Sequence, residues 1–378
     1  MKSDSQTSRY LISIDILRAS AILLMIQVHF VTNLSPRASA SAALYDLSTI
    51  LGMLPAPIFS FLTGFSLWLW LGRETQRGIP EARLRRTTFR RVVFLFVSGL
   101  AFATFIWLPV SVFDWDILTF LGAATIIVYL FRNLSPRWIF TTIIFVLLVS
   151  PWLRSTSGYA AHWQGSEYLY DFTVRDVVMG FLLEGYFPLL PWISFSLLGL
   201  AFGKYYSSST DNGQFTGWAL PAAGLILIGY ALTGGLLLPS GNSFWEAYLG
   251  EITFYPASTT FVIAAMGIII LAFWGLYRHF DSGQKPRDGL ALPFWRRYSR
   301  FSLTVYIVHH AVHVWPLYLL AIWEGRNDIW WYYGDAISTP VALLLAVIFI
   351  VLFYGSLIFW EKKRKYSFEG ALRWFSEA

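Results

Sequence analysis

Apolar stretches of membrane-spanning length alternate with short polar clusters along most of the chain. A helix that crosses a bilayer needs about 20 mostly apolar residues, because the hydrocarbon core is roughly 30 Å thick. Runs of that kind fall near residues 11–31, 49–72, 91–112, 115–131, 138–153, 187–206, 216–238, 257–277, 300–323 and 339–360. Backbone polar groups in lipid must pair within their own segment, so the runs predict helices. The expected architecture is an all-α polytopic transmembrane bundle of about ten helices, with nine and eleven as the neighbouring counts. A tight turn around Asp114 joins the third and fourth runs. Segment 155–186 is too polar to span and reads as an external loop with a short helix. The tail 361–378 opens with EKKRK, a stop-transfer cluster, and continues as a short amphipathic helix expected on the inner leaflet. The first run lacks a small-residue cleavage site and reads as a retained helix. There is no tandem repeat and no low-complexity tract, so residues 1–378 are expected to form one membrane domain.

Composition agrees with this pattern. Of the residues, 56% are hydrophobic and 13% charged, against about 25% charged in a soluble domain. Many of the 18 Trp sit at run ends, among them Trp107, Trp115, Trp138, Trp152, Trp323, Trp330, Trp331 and Trp360, where an interfacial belt belongs. With the N-terminus inside, 23 of the 28 Lys and Arg fall on the cytoplasmic side. Only Arg37, Arg154, Arg175 and Arg326 fall outside, and Arg18 lies within a span. This asymmetry predicts cytoplasmic N- and C-termini in a multi-pass protein, with the cell membrane the expected location. It also accounts for the net charge of +6 as orientation, so no nucleic-acid partner is expected. The chain has no Cys, which excludes a thiol nucleophile, a disulfide and a thiolate metal site.

Two spans carry polar stripes. The first, LISIDILRASAILLMIQVHF, contains Asp15, Arg18 and His29. An ionisable group inside a span is costly and marks a functional hypothesis. At 100° per residue Arg18 and His29 differ by about 20° around the axis and by about 16 Å along it, and Asp15 shares their face. Asp15 and Arg18 are three apart and can pair directly. The plain alternative is a structural pair near the inner interface with Arg18 snorkelling, and a packing histidine at 29. In the ninth span, RFSLTVYIVHHAVHVWPLYLL, Tyr306, His309, His310 and His313 follow i, i+3, i+4, i+7 and share one face. Histidine is the natural proton carrier near neutral pH. His309 and His313 also have the spacing of a metal pair, and His29 would add a third ligand. No carboxylate cluster or HExxH motif accompanies them, so no metal is expected. His313 is the weakest catalytic candidate. By counting along the spans, His309 sits nearer mid-membrane than His29.

Five patches, in order, resemble the transmembrane acyltransferase superfamily, in particular its heparan-alpha-glucosaminide N-acetyltransferase-like branch. They are SIDILRASAILLMIQVHF, APIFSFLTGFSL, FDWDILTFLGAA, GYFPLLPWISFSLLGLAFGK and FSLTVYIVHHAVH, running from about residue 9 to 313. Two departures stand out. Ala19 follows the first-helix Arg where the family usually has Gly. The histidine that animal members carry before the second helix has no counterpart, since none lies between His29 and His162.

The resemblance implies transfer of an acyl group, acetyl by expectation, from cytosolic acyl-CoA to an extracytoplasmic glycan or amino-sugar acceptor. The chemistry requires a base for the attacking hydroxyl or amine and donors for the developing oxyanion. His29 is the candidate base. Arg18 and Asp15 would position the donor, and His309, Tyr306 and His310 would donate to the carbonyl or relay the proton. Arg85, Arg86, Arg90, Arg91, Arg296, Arg297 and Arg300 would hold the phosphates of CoA, although such clusters are also ordinary positive-inside charge. The other expected contacts are membrane lipid and, as an open alternative, a second copy of the chain in a homodimer. The competing reading is a proton-coupled transporter or a lipid or glycan flippase using the same intramembrane His and Arg groups. Gly199 and Gly203 read as helix packing. Pro55, Pro57, Pro188 and Pro191 are expected to kink the second and sixth helices.

Overall fold

The computed structural model describes residues 10–37, 41–107, 112–208, 217–237, 248–283, 291–326, 334–363 and 366–377. In chain order the helices are α1 (Ile12–Leu34), α2 (Ala42–Gly52), α3 (Pro55–Gln76), α4 (Glu81–Phe102), α5 (Ile117–Phe131), α6 (Pro136–Ser157) and α7 (Val174–Met179). They continue as α8 (Leu189–Ser208), α9 (Ala219–Leu237), α10 (Thr259–Leu276), α11 (Leu292–Arg300), α12 (Ser302–Trp323), α13 (Thr339–Lys362) and α14 (Phe368–Glu377). Among the described residues, eight helical segments are long and apolar enough to cross a membrane, and Ile117–Phe131 and Ala219–Thr233 are shorter apolar helices. These correspond to the ten expected runs, and the protein is an all-α integral membrane protein. Trp330 and Trp331 lie outside the described residues.

Segment 155–186 folds as a 3-10 turn (Tyr159–His162), a two-residue antiparallel pair, β1 (Trp163–Gln164) with β2 (Glu167–Tyr168), and the short α7. Pro55 and Pro57 lie in the first turn of a helix, whereas Pro188 and Pro191 bracket a kink, as expected for the sixth helix. Pro55 and Pro57 open α3 directly after α2 ends. Pro188 and Pro191 flank Leu190, whose φ −104° and ψ 124° are not helical, at the mouth of α8. Proline tolerates a first turn because its missing N–H has no helical partner there.

α1 is the central strut, in contact with α2, α3, α11, α12 and α13. No residue next to its start caps it. The Asp281 carboxylate does so from afar, accepting from the backbone N–H groups of Ile12 and Ser13 at 2.9 Å each, which satisfies two otherwise orphaned donors. α3 and α8 cross at small residues. A Cβ at Gly64 would stand 1.9 Å from the Ser196 carbonyl oxygen, and one at Gly199 would stand 1.9 Å from that of Phe61. Gly203 meets Trp68. Both sequence-predicted glycines therefore serve packing. The apolar core lies in two main bodies, one centred on α3, α5, α8 and α10, the other on α1, α12 and α13.

The C-terminal helix α14 forms as expected, but it docks on α4 and on the start of α12. Its Glu369 carboxylate accepts from the Thr304 backbone N–H at 2.9 Å and the Thr304 hydroxyl at 2.5 Å.

Candidate active site

The two polar stripes meet. α1 and the α11–α12 pair run side by side in the same direction, with Arg18 beside Ser299, His29 beside His309 and Asn33 beside His313. The depth mismatch expected from counting is resolved by stagger. α11 occupies the level of Asp15 and Arg18, α12 begins only after the turn at Phe301, and His309 therefore stands level with His29.

Each of the three α12 histidines is anchored by its own helix. Nδ1 of His309 lies 2.9 Å from the Val305 carbonyl, that of His310 lies 3.0 Å from Tyr306, and that of His313 lies 2.7 Å from His309. A carbonyl oxygen only accepts, so each Nδ1 carries the hydrogen and each Nε2 of a neutral ring carries a lone pair. His29 Nδ1 lies 2.9 Å from His309 Nε2, so His29 Nδ1–H donates to His309. The Asn33 amide in turn donates to His313 Nε2 at 2.7 Å. The network leaves His29 Nε2 as a lone pair, with the His310 ring 4.3 Å away between centroids. His310 also packs edge-on against Phe102 and Trp107. His309, His310 and His313 are buried, while His29 is half-buried.

One nitrogen each from His29, His309 and His310 falls within 4.8 Å of the others. The triad that could hold a metal thus contains His310 in place of His313. A metal ion there would have to replace the His29–His309 hydrogen bond.

The Tyr306 hydroxyl is already engaged. It donates to the Asp116 carboxylate, while the other Asp116 oxygen accepts from the Leu118 N–H at 2.8 Å and caps α5. Asp15 and Arg18 do not pair directly. Ser299 stands between them, donating to Asp15 at 2.5 Å and accepting from Arg18 at 3.2 Å. Arg18 also donates to Ser66 at 3.0 Å. Arg18 reaches a cavity of about 430 Å³ that Asp15, Arg73, Arg296, Ser299 and Arg300 also line. Between this cavity and His29 the same face of α1 carries Ile22 and Met25, both buried.

Residues 9–235, more than half of the chain, match the family described as heparan-alpha-glucosaminide N-acetyltransferase, catalytic. The chain belongs to this family. No individual curated protein matches it. Membership in this acetyltransferase family covers α1 with Asp15, Arg18 and His29, the α3–α8 crossing, Arg73 and Asp116. The match ends before α12, so the histidines that orient His29 are placed by geometry alone.

The basic residues expected to hold phosphate divide. Arg296 and Arg300 line the cavity at Arg18. Arg91 lines a second cavity with Arg73, which belongs to both. Arg85 and Arg86 are exposed, Arg90 is half-buried, and none of the three lines either cavity. Arg297 is committed elsewhere, to Glu361 at 2.8 Å and to the Tyr354 hydroxyl. Glu361 also takes Arg300 at 2.9 Å.

Sequence reasoning missed Arg73, Asn33, Ser66, Ser299 and Asp116. Asp116 had a readable signal, since an Asp immediately before an apolar run is a helix N-cap. The serines and Asn33 had none, because their partners lie on distant segments of the chain. His162 does not join the cluster. It lies 2.9 Å from the buried Glu184 carboxylate in the segment before α8.

Proposed function

We propose that the protein is a membrane acetyltransferase that takes an acyl group from acyl-CoA on the cytoplasmic side and passes it to an extracytoplasmic amino sugar or other glycan. The observation that carries this reading is the His29 Nε2 lone pair, set by the His309 hydrogen bond, on the same helix face as the arginine-lined cavity. His29 is the general base. As the acceptor nitrogen or oxygen bonds to the thioester carbonyl carbon, its proton passes to His29 Nε2. The tetrahedral adduct then expels the CoA sulfur, which leaves with that proton. His309 acts as a positioning residue, because its Nε2 accepts from His29 Nδ1–H and stabilises the charged ring formed midway. Tyr306 and Asp116 hold α12 in place. This is a narrower part than the carbonyl donation expected of Tyr306 and His309, since the donors of both are already engaged.

Arg18, Arg73, Arg296 and Arg300 supply positive charge where a phosphorylated donor would enter. Met25 lies between that cavity and His29, and its unbranched, flexible side chain can yield to a pantetheine arm. With both termini cytoplasmic, donor entry and acceptor approach fall on opposite sides.

The test measures CoA release and label transfer from acetyl-CoA by purified protein in liposomes, with glucosamine and surface glycans as acceptors. Wild type is expected to turn over. Folded His29→Ala is expected to lose at least about 100-fold, the usual scale for removal of a general base. Absence of acyl-CoA consumption by wild type across several donors and acceptors would shift the reading to transport through the same polar stripe.

A further inference from the structure

The second cavity, of about 320 Å³, lies beside the contact of α14 with α4 and is also lined by α3. It is lined by Trp70, Arg73 and Glu74 of α3, by Arg77 just past the end of α3, by Arg91 of α4 and by Arg373 and Glu377 of α14. The two carboxylates are already used, Glu74 by Arg77 at 2.8 Å and Glu377 by Arg373 at 4.0 Å. Arg73 and Arg91 stand outside these pairs. The Arg91 guanidinium lies 4.1 Å from the centre of the Trp70 ring, and this stacking fixes its plane. Arg73 also lines the cavity that reaches Arg18, so the two spaces share a wall.

We infer that the C-terminal helix completes the donor site, with Arg373, Arg91 and Arg73 clamping the nucleotide phosphates of acyl-CoA in the cavity that α14 closes. The inference rests on the acyl-CoA reading above. The chemistry is that of a phosphate dianion and a diphosphate meeting several guanidinium groups, which bind such oxygens in bidentate fashion. The acyl end would then run past Arg73 towards Arg18. Occupancy is linked to α12, which positions His29, because Glu369 of α14 holds Thr304, five residues before His309. Phe368 N–H also donates to Thr304 at 3.0 Å, and Phe375 rests against Phe94. An anionic lipid headgroup presents the same phosphate chemistry, so the test must separate the two sources.

Two readouts do so. The first is binding of adenosine 3′,5′-bisphosphate, a fragment of the CoA nucleotide, to purified wild type and Arg373→Ala in neutral detergent. It needs no turnover and stands even if the acceptor is wrongly assigned. Wild type is expected to bind and Arg373→Ala to bind about tenfold more weakly, the scale of one charge-assisted contact, with Arg373→Lys between them. Absent binding to wild type, or equal binding by all three proteins, overturns the clamp. The second compares acetyl-CoA with acetyl-pantetheine, which lacks the nucleotide. Arg373→Ala is expected to raise KM for acetyl-CoA about tenfold at unchanged kcat and to leave acetyl-pantetheine unaffected. Equal losses with both donors mean that α14 is only structural. A change confined to dependence on anionic lipid assigns the phosphate to the membrane. Either result overturns the proposal.

Discussion

At the scale of residues, the site works by assigning hydrogens. Three Nδ1 anchors on α12 and one His29–His309 contact determine which nitrogen of His29 is bare. This makes a prediction about His309 that a merely space-filling residue would not meet. Gln at 309 offers a carbonyl oxygen that can accept from His29 Nδ1–H, whereas Ala cannot. His309→Gln is expected to retain a measurable part of kcat, and His309→Ala to fall by about 100-fold. The check is turnover of both folded variants across pH, where Ala should also change the profile set by His29. Equal losses in the two variants would remove the orienting role. Much at this scale was legible in the sequence. Asp15, Arg18 and His29 share a face by helical geometry, and so do Tyr306, His309 and His310. Which atom is donor and which acceptor was not legible, because that depends on α1 and α12 lying in one register. Tyr306 shows the difference, since its hydroxyl donates to the carboxylate of Asp116, a partner 190 residues away.

At the scale of elements, hydropathy located the ten helices because the bilayer rewards length and apolar content directly. What it could not show is how closely two of them approach. The α3–α8 crossing brings Gly64 against the Ser196 carbonyl and Gly199 against that of Phe61. Gly199 was readable from its spacing to Gly203, but Gly64 had no such neighbour. A methyl group at either position must displace backbone, and overpacking of this kind costs about 1–3 kcal/mol, occasionally more. Gly199→Ala and Gly64→Ala are expected to lower the thermal midpoint in detergent. Gly229→Ala on α9 meets nothing within 4 Å and is expected to leave it unchanged. Equal midpoints for all three variants would mean that the crossing yields without cost. The prolines carry a related lesson. Kinks were expected at both pairs; α8 does kink at Leu190, beside Pro191, while in α3 Pro55 and Pro57 sit in the first turn, where a missing N–H costs little.

At the scale of the whole molecule, the proposed chemistry requires a direction. The cavity at Arg18 and the second arginine-lined cavity share Arg73, and α14 lines the second through Arg373. The histidine cluster lies about 16 Å further along α1. The excess of Lys and Arg on one set of loops predicts that the cavity end faces the cytoplasm, and the proposed cytosolic donor depends on that orientation. The absence of Cys makes the assignment directly measurable with single introduced thiols. Ser135, in the turn between α5 and α6, and Ser166, in the β1–β2 hairpin, are both exposed, so access is not limited by burial. In intact cells a membrane-impermeant maleimide is expected to label Ser166→Cys and to spare Ser135→Cys until the membrane is opened. The reverse pattern would place the arginine-lined cavities outside. It would then leave a cytosolic acyl-CoA no route to Arg18, whatever activity the purified protein showed in detergent.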